Sequence, residues 1–268
     1  MSLATDFRVG RQWEARIARA QQVVEQQTSA KAVLNFYTLV LEFQRDLAHS
    51  STARLKPELP LREQVDLSLA NAKLPALFDL AAQYAPDQLA ARASALRGAD
   101  DRRRHELMRS AVSRPTGLED PLEDFFARSC LQPLAENLQF QIPTDSNHNK
   151  SVCPACGGHP QASILRPEGE GARRWLLCSF CLREWLFRRV VCPWCGEEDK
   201  EKLPYYSAEA VVHVRIEACD GCKKYLKAVD LSRNGHALPM VDEVATAVLD
   251  VWASEHGYCK IVPNLMGF

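Results

Sequence analysis

The stretch CPACGGHP at residues 153–160 returns in altered form as CPWCGEED at residues 192–199. Each copy begins with C-P-x-C-G, and a second C-x-x-C pair follows it, in CSFCLREWLF at 178–187 and in CDGCKKYLKA at 219–228. The two units begin 39 residues apart. Short apolar runs between the cysteine pairs are typical of strands. The repeat therefore predicts two successive modules, each with a β-hairpin that runs from one cysteine pair to the next.

The eight cysteines of the repeat have the spacing of metal ligands. Two intervening residues form a tight turn that aims both sulfurs at one point, and two such turns facing each other make a tetrahedral site. The sequence predicts two four-cysteine metal sites, with the ligands Cys153, Cys156, Cys178, Cys181, Cys192, Cys195, Cys219 and Cys222. The repeat favours sequential pairing, one ion to each module, while crossed or nested pairing stays open. Four thiolates suit both zinc and mononuclear iron, and only iron would bring redox activity.

The residues around the pairs bear on turn geometry and charge. Gly157 and Gly196 follow the first turn of each module and permit the left-handed backbone that completes it. Leu182 and Lys223 stand at the corresponding positions of the second turns, so we expect less regular geometry there. Metal-bound thiols are deprotonated, and basic neighbours can offset their negative charge. The basic residues nearest in sequence are Arg173, Arg174, Arg183, Arg188, Arg189, Lys223 and Lys224.

The remaining reactive groups form no catalytic constellation. Cys130 lies in an apolar helical pattern and is interpreted as a core residue, whereas Cys259 is expected to be partly exposed. His148, His159 and His213 are expected on the surface or in loops. The sequence has no phosphate-binding glycine loop, no G-x-S-x-G and no H-E-x-x-H motif. We therefore expect a protein that is not an enzyme and has no catalytic residues.

Length and composition narrow the class of protein. The chain has 268 residues, which favours one or two domains, and 33 basic side chains balance 34 acidic ones. Balanced charge gives no general attraction to nucleic acid or anionic membranes. No apolar run reaches the length of a membrane span, and the first residues lack the apolar segment of a secretory signal. We expect a cytoplasmic protein, whose C-x-x-C pairs indicate metal ligands rather than disulfides.

The order of sequence patterns predicts an α+β protein. An all-α N-terminal domain precedes two tandem rubredoxin-like or zinc-ribbon β modules and a C-terminal helix. The polar stretch IPTDSNHNKS at 142–151 is interpreted as a linker. The predicted ranges are 1–142 for the helical domain, 152–190 for the first four-cysteine module, 191–235 for the second, and 240–268 for the C-terminal helix and tail.

Apolar residues recur at helical spacing on both sides of the modules. The segment 61–84 contains Pro75, which predicts two helices or one kinked helix. Residues 241–252 predict a single helix that ends at Gly257, followed by an extended tail. In the segment before the linker, the predicted buried face consists of Phe125, Phe126, Leu131 and Leu134.

With these features in place, the chain resembles the FdhE family of formate dehydrogenase accessory proteins. Residues 125–133, with Phe125-Phe126-Ala127-Arg128 and Leu131-Gln132-Pro133, carry part of the likeness. The repeated C-P-x-C-G units and the tail LDVWASEHGYCKIVPNLMGF at 249–268 carry the rest. The resemblance covers most of the chain, and the cysteine array and the tail are its most specific parts.

The resemblance implies a cytoplasmic maturation factor or chaperone rather than a dehydrogenase. Members of this family are needed to make active respiratory formate dehydrogenases and are thought to act on the catalytic subunit, which carries molybdenum and an iron–sulfur cluster. Their cysteine modules are regarded as rubredoxin-like and able to hold iron. The resemblance thus favours iron over zinc at the eight cysteines of the C-x-x-C pairs. It also favours the catalytic subunit as the partner of this protein.

Two other functions are compatible with the same cysteine array. A rubredoxin-like electron-transfer protein would contain iron with a reversible potential at a site near solvent. A zinc-ribbon nucleic-acid binder would need a basic face with exposed aromatic side chains, against which the neutral net charge argues. The amphipathic helices are also compatible with a homodimer.

Overall fold

Six α-helices form the N-terminal half of the computed structural model, which describes residues 2–26, 31–143 and 148–268. They are α1 Ser2–Gln26, α2 Lys31–Ser50, α3 Leu67–Tyr84, α4 Asp87–Arg97, α5 Asp101–Ser113 and α6 Pro121–Gln139. The side chains of Asp66, Asp100 and Asp120 accept hydrogen bonds from backbone N–H groups in the first turns of α3, α5 and α6. These aspartates are N-caps that fix where the three helices begin.

The segment 61–84 folds as a 3-10 turn, Leu61–Gln64, followed by the single helix α3. Pro75 lies inside α3 and does not divide it, so the alternative of one helix is the correct one. Within the expected linker, residues 144–147 lie outside the described residues. No helix in the described ranges combines the length and the apolar character that a membrane span needs.

Helix α6 is the central helix of this half. Fifteen of its nineteen residues are buried, and it packs against α2, α3 and α5. The predicted buried residues Phe125, Phe126, Leu131 and Leu134 are all in the core, and so is Cys130. Because α6 is covered on all sides, its polar side chains are buried too and must find partners within the protein.

The C-terminal half contains one sheet that joins both cysteine modules, and the predicted α+β architecture is confirmed. The strands are β1 Pro160–Glu168, β2 Gly171–Cys178, β3 Glu184–Phe187, β4 Tyr205–Ala208, β5 Val211–Ala218, β6 Lys224–Asp230 and β7 Cys259–Lys260. They lie in the order β3-β2-β1-β6-β5-β4, with β7 beside β6. Strands within a module are antiparallel, whereas β1 and β6 are parallel, with residues 162–165 beside 227–230. The tandem modules therefore share a sheet instead of standing apart.

The C-terminal helix is divided, contrary to the prediction of a single helix. The two parts are α7, Pro239–Ala245, and α8, Ala247–Glu255, and Thr246 between them has φ −108° and ψ 36°. Beyond α8, Cys259 and Lys260 pair in parallel with β6. The expected extended tail thus contributes a short strand to the sheet.

Lys227 on β6 binds polar groups at the break. Its side chain is fully buried, and its Nζ donates hydrogen bonds to the backbone carbonyls of Glu243 and Thr246 and to the Asp250 carboxylate. Carbonyls in the last turn of a helix lack an intrahelical partner, and the buried ammonium supplies a donor to that of Glu243 at the end of α7. The buried Lys260 ammonium also contacts Glu243 and Asp250, so two cations face two carboxylates. Burial lowers the pKa of Lys227, and the two carboxylates oppose that shift.

Apolar packing links the helical half to the first module. One cluster of buried side chains runs from Trp13 in α1 through Phe126 in α6 to Ile164 and Leu176 in β1 and β2. A second, smaller cluster joins β5 and β6 to Leu249 in α8. The first module therefore packs directly on the helices, whereas the second module packs mainly on the C-terminal helix.

We predict that Lys227→Met lowers the free energy of unfolding by about 3–5 kcal/mol, because it leaves two buried carboxylates with one cation. Chemical denaturation followed by circular dichroism measures this loss. Lys73→Met, at an exposed lysine on α3, is the matched control and should change stability by less than about 0.5 kcal/mol. Equal stability of the two variants would show that the buried cluster does not hold α7 and α8 in place.

Candidate metal centres

The first centre consists of Cys153, Cys156, Cys178 and Cys181, whose four Sγ atoms lie within 4.8 Å of one another. Sγ of Cys153 is 3.6 Å from that of Cys181, and Sγ of Cys156 is 3.4 Å from that of Cys178. In a tetrahedral site with metal–sulfur bonds of about 2.3 Å, neighbouring sulfurs are about 3.8 Å apart. The first centre therefore has the size that a four-coordinate ion requires.

The second centre consists of Cys192, Cys195, Cys219 and Cys222, again with all four Sγ atoms within 4.8 Å of one another. The Cys192–Cys222 and Cys195–Cys219 sulfur pairs are each 3.7 Å apart. All eight cysteines are free thiols rather than disulfides. The structure thus groups the pairs in sequence order, as the repeat favours, and the two centres can hold one metal ion each.

The turns that present the sulfurs share one backbone pattern. In three of them, the N–H of the first cysteine donates to the carbonyl five residues later, and its own carbonyl accepts from the N–H four residues later. The remaining turn has the first of these bonds, from Cys178 to Arg183, at 2.9 Å. Such paired bonds close the loop around each cysteine pair and fix the direction of its two side chains.

Each turn also needs one left-handed residue after its second cysteine. Gly157 and Gly196 have φ values of 70° and 80°, and Leu182 and Lys223 have φ values of 56°. The expectation of less regular geometry therefore does not hold for the second turn at Cys219, whereas the second turn at Cys178 has only one of the two closing bonds. Non-glycine residues in this region cost about 1–2 kcal/mol each, so other contacts must stabilise Leu182 and Lys223 in it.

Backbone N–H groups point at the sulfurs. The N–H groups of Phe180 and Cys181 lie 3.4 Å and 3.5 Å from Sγ of Cys178, and the N–H of Trp194 lies 3.4 Å from Sγ of Cys192. These donors favour the thiolate form, because they stabilise negative charge on sulfur. The turns are thus built for deprotonated cysteines.

The two centres differ in exposure. Cys153, Cys178 and Cys181 of the first centre are at most 3% exposed. In the second centre Cys195 is exposed and Cys222 is half-buried. Cys156 is half-buried like Cys222, so the first centre is the more enclosed of the two and the second reaches the surface at Cys195.

Contacts from the helical half close the first centre. Gln132 in the middle of α6 donates to the carbonyl of Ser179, at 2.8 Å, between the two cysteines of the second turn. Arg62 from the 3-10 turn donates from Nε to the carbonyl of Cys156, at 2.9 Å, and its guanidinium lies 4.0 Å above the Phe180 ring. Both residues lie far from the cysteines in sequence, which contains no signal that pairs them.

The second terminal nitrogen of Arg62, Nη2, lies beside the sulfurs of the first centre. This nitrogen is buried and has no hydrogen-bond partner among the described residues. A Cβ placed on Gly158 would lie 3.0 Å from this nitrogen, 3.2 Å from Sγ of Cys178 and 3.3 Å from Sγ of Cys156. The free N–H group and the two sulfurs therefore surround the same small space. A negatively charged tetrathiolate would satisfy this donor.

Proton affinities in the first centre differ between its sulfurs. Burial raises the pKa of Cys178 and Cys181 well above the ordinary value, whereas hydrogen bonds from Cys153, Cys178 and Cys181 lower the pKa of Cys156. Four thiolates this close repel one another, so without a cation the centre keeps protons on its buried sulfurs. A metal ion must displace those protons, and its affinity therefore rises with pH.

The basic residues near the cysteines have mostly other partners. Arg183 donates to the carbonyls of Gln139, Ile142 and Pro143 at the end of α6. The ion pairs of the others are Arg173–Glu168, Arg174–Glu217, Arg188–Glu198 and Lys223–Asp220. The residue whose charge lowers the pKa of a first-centre thiol is Arg62, which the sequence did not reveal.

Two histidines also have defined partners. The His159 ring packs on Trp194 with 5.1 Å between ring centres, and so joins the turn of the first centre to that of the second. His213 lies on β5, with Nε2 2.8 Å from the Asp242 carboxylate, which also binds Arg19 of α1. His159 lies in a loop, as expected, whereas His213 lies within a strand, so the expectation of a surface or loop position is wrong for His213.

Comparison with known proteins agrees with this architecture. The chain matches a model of the FdhE central domain over residues 152–189 and one of the FdhE C-terminal domain over residues 190–266. It is 27% identical to a protein named FdhE homolog from Aquifex aeolicus (strain VF5), over 95% of both chains. A protein of the same name from Pseudomonas aeruginosa is 37% identical over 44% of this chain and 40% of its own length.

The fold also has a counterpart among solved structures. The crystal structure of the FdhE protein from Pseudomonas aeruginosa superposes with a TM-score of 0.73 over 95% of both chains, at 24% sequence identity. At this identity the superposition shows a shared fold. The fold, the two domain matches and the full-length relative lead to one conclusion: the chain belongs to the FdhE family.

Proposed function

We propose that this protein is a metal-binding accessory protein that acts in the maturation of a formate dehydrogenase by binding its catalytic subunit. The observation that carries the proposal is the pair of four-sulfur centres in a chain of the FdhE family. The partner follows from the family, in line with the resemblance in the sequence. We further propose a cytoplasmic protein without catalytic activity of its own.

We also propose the eight cysteines as metal ligands. The spacing of the sulfurs, the N–H groups aimed at them and the unpartnered Arg62 nitrogen all suit an ion with four thiolates. The family resemblance favours iron, and zinc is the alternative because it accepts the same ligands. A bound ion would crosslink the turns, and iron would add one-electron chemistry.

In this proposal, a metal ion in the first centre has a structural role. The turns of this centre contact α6 through Gln132 and the 3-10 turn through Arg62, so a bound ion would stabilise the junction between the helices and the sheet. A groove of about 490 Å³ lies along this junction, lined by α1, α6 and the turn at Leu182. Its Arg16–Glu136 and Arg166–Glu184 pairs are internal, and apolar side chains such as Leu238 and Met240 in the lining offer contacts to a client segment.

Electron transfer is the second candidate, because one observation favours it. Cys195 places the second centre at the surface, as exchange of electrons with a partner requires. A reversible iron potential, measured by voltammetry of the purified protein, would support this function. Zinc in both centres after production with ample iron would remove it and would leave the accessory role intact.

We predict that Cys→Ser at any of the eight positions removes one metal ion per chain. Elemental analysis of purified variants measures this loss. Cys156→Ser should also loosen the junction with the helices and lower the melting temperature more than Cys195→Ser, because the first centre is the buried one. Cys130→Ser and Cys259→Ser are the controls and should keep both ions. If a Cys→Ser variant at one of the eight positions kept two ions per chain, the ligand assignment would be contradicted.

The accessory function is tested by capture of the client. The tagged protein is produced together with the catalytic subunit of a formate dehydrogenase and purified under anaerobic conditions. We expect the subunit to co-purify with the wild type and with Cys259→Ser, and to be reduced at least about tenfold with Cys156→Ser, because loss of the metal loosens the binding surface. Equal capture by all three would show that the metal centres do not support client binding, and no capture by any of them would contradict the accessory role.

A further inference from the structure

A pocket of about 350 Å³ lies beside the second centre, between the turn at Cys192 and one face of the sheet. Its lining contains five basic side chains and a single carboxylate, that of Glu217. The basic side chains come from β2, the segment before Cys192, the 3-10 turn Lys200–Lys202, β5 and β6. They are Arg174, Arg189, Lys200, Arg215 and Lys224.

The single carboxylate is used internally. Glu217 pairs with Arg174 at 2.8 Å and with Arg215 at 2.9 Å, and it accepts a hydrogen bond from Ser163 at 2.9 Å. Burial tends to raise the pKa of Glu217, but the two guanidinium groups bring it below the ordinary value. Glu217 is thus an anion that holds two arginines in place and has no capacity left for the other cations.

The other three cations have no acidic partner in the described part of the chain. Among the described residues, no carboxylate oxygen lies within 4.0 Å of the side-chain nitrogens of Arg189, Lys200 or Lys224. Lys224 is held over the Trp194 ring, 5.5 Å from its centre. Deeper in the pocket, Arg174 is 4% exposed, and its buried Nε has no hydrogen-bond partner in the described part of the chain. Donors are therefore available both at the rim and at the base.

The neighbouring metal centre does not cancel this charge. A divalent ion with four thiolates carries a net charge of about −2, and Cys192 and Cys219 of the second centre border the pocket. The pocket's cations exceed its carboxylate by four, so a positive excess of about two remains when the centre is loaded. The pocket thus suits an anionic ligand in the metal-loaded protein.

The rim indicates that this ligand is a polypeptide. Val190 and Tyr205 line the pocket and are 39% and 66% exposed, so apolar surface lies beside the cations. Residues 203–205 border the pocket and lead into β4, which is an edge of the sheet. An edge strand can pair with an extended segment of another chain, whose side chains alternate between neighbouring pockets.

We propose that this pocket binds an acidic segment of the client polypeptide, with one or two Asp or Glu carboxylates at Lys200, Lys224 and the Arg174 base and with apolar side chains on Val190 and Tyr205. The identity of the partner rests on the proposed function, but the chemistry of the pocket does not. Guanidinium and ammonium donors form strong, charge-assisted hydrogen bonds with carboxylates.

The pocket is tested with a short fluorescent peptide that alternates Glu and Val, on the metal-loaded full-length protein. We expect binding by anisotropy that weakens with added salt, no binding of the matched Gln–Val peptide, and about tenfold weaker binding to Lys200→Glu and Lys224→Glu. Lys73→Glu, on α3, reverses a charge elsewhere and should bind as the wild type does. Because Lys224 is close to Cys222, metal content is measured for each variant, and Arg189→Glu replaces Lys224→Glu if an ion is lost.

Two results would overturn the proposal. One is equal binding of the Glu and Gln peptides. The other is a wild type that binds free citrate but not the Glu peptide, with citrate binding abolished in Lys200→Glu. That result would make the pocket a site for small anions.

Capture of the catalytic subunit by Lys200→Glu separates this inference from the proposed function. Undiminished capture would remove the pocket from client binding and leave the accessory role standing, whereas failure of the wild type to capture would remove the role and leave the peptide result to decide on the pocket.

Discussion

The convergence of four cysteine sulfurs on one buried point is the constraint on which the rest of this structure depends. Thiolates packed within 4.8 Å of one another repel, and burial makes each charge more costly. A cation among them turns this repulsion into attraction and fixes two backbone turns at once. Gln132 from α6 and Arg62 from the 3-10 turn donate hydrogen bonds to the same turns. A first centre with fixed turns therefore also stabilises the position of these helical elements.

Two centres with nearly the same turns occupy different surroundings, and that difference suggests different roles. The first is enclosed by the helical half and suits a crosslink that holds the molecule together. The second borders solvent and a basic pocket, and strands β5 and β6 of its module pack on α8. A protein that binds a client needs both a rigid frame and an accessible surface, and the duplicated module supplies one of each.

Local patterns in the sequence predict the parts of this structure that depend on local chemistry. The C-x-x-C spacing predicts which sulfurs approach each other, since each turn is closed by bonds within six residues. Helical periodicity predicts the buried residues of α6, because burial follows from its apolar side chains. Cys130 is identified as a core residue on the same basis.

The features that sequence reasoning missed depend on contacts between distant segments. The parallel pairing of β1 with β6 joins the modules through residues more than sixty positions apart. Polar groups at the break near Thr246 bind Lys227 of β6, and a lysine gives no sign in sequence that it will be fully buried. The left-handed Leu182 and Lys223 were judged from residue preference alone, whereas the surrounding turn overrides that preference.

X-ray absorption spectroscopy at the metal edge of the anaerobically purified wild type, with metal content measured on the same sample, tests the central claim most directly. The account predicts two ions per chain and a first shell of four sulfurs at about 2.3 Å with no nitrogen or oxygen ligand. Both centres should contribute the same shell, because both have the same spacing of sulfurs. A shell that contains nitrogen or oxygen, or a protein that binds no metal, would contradict it.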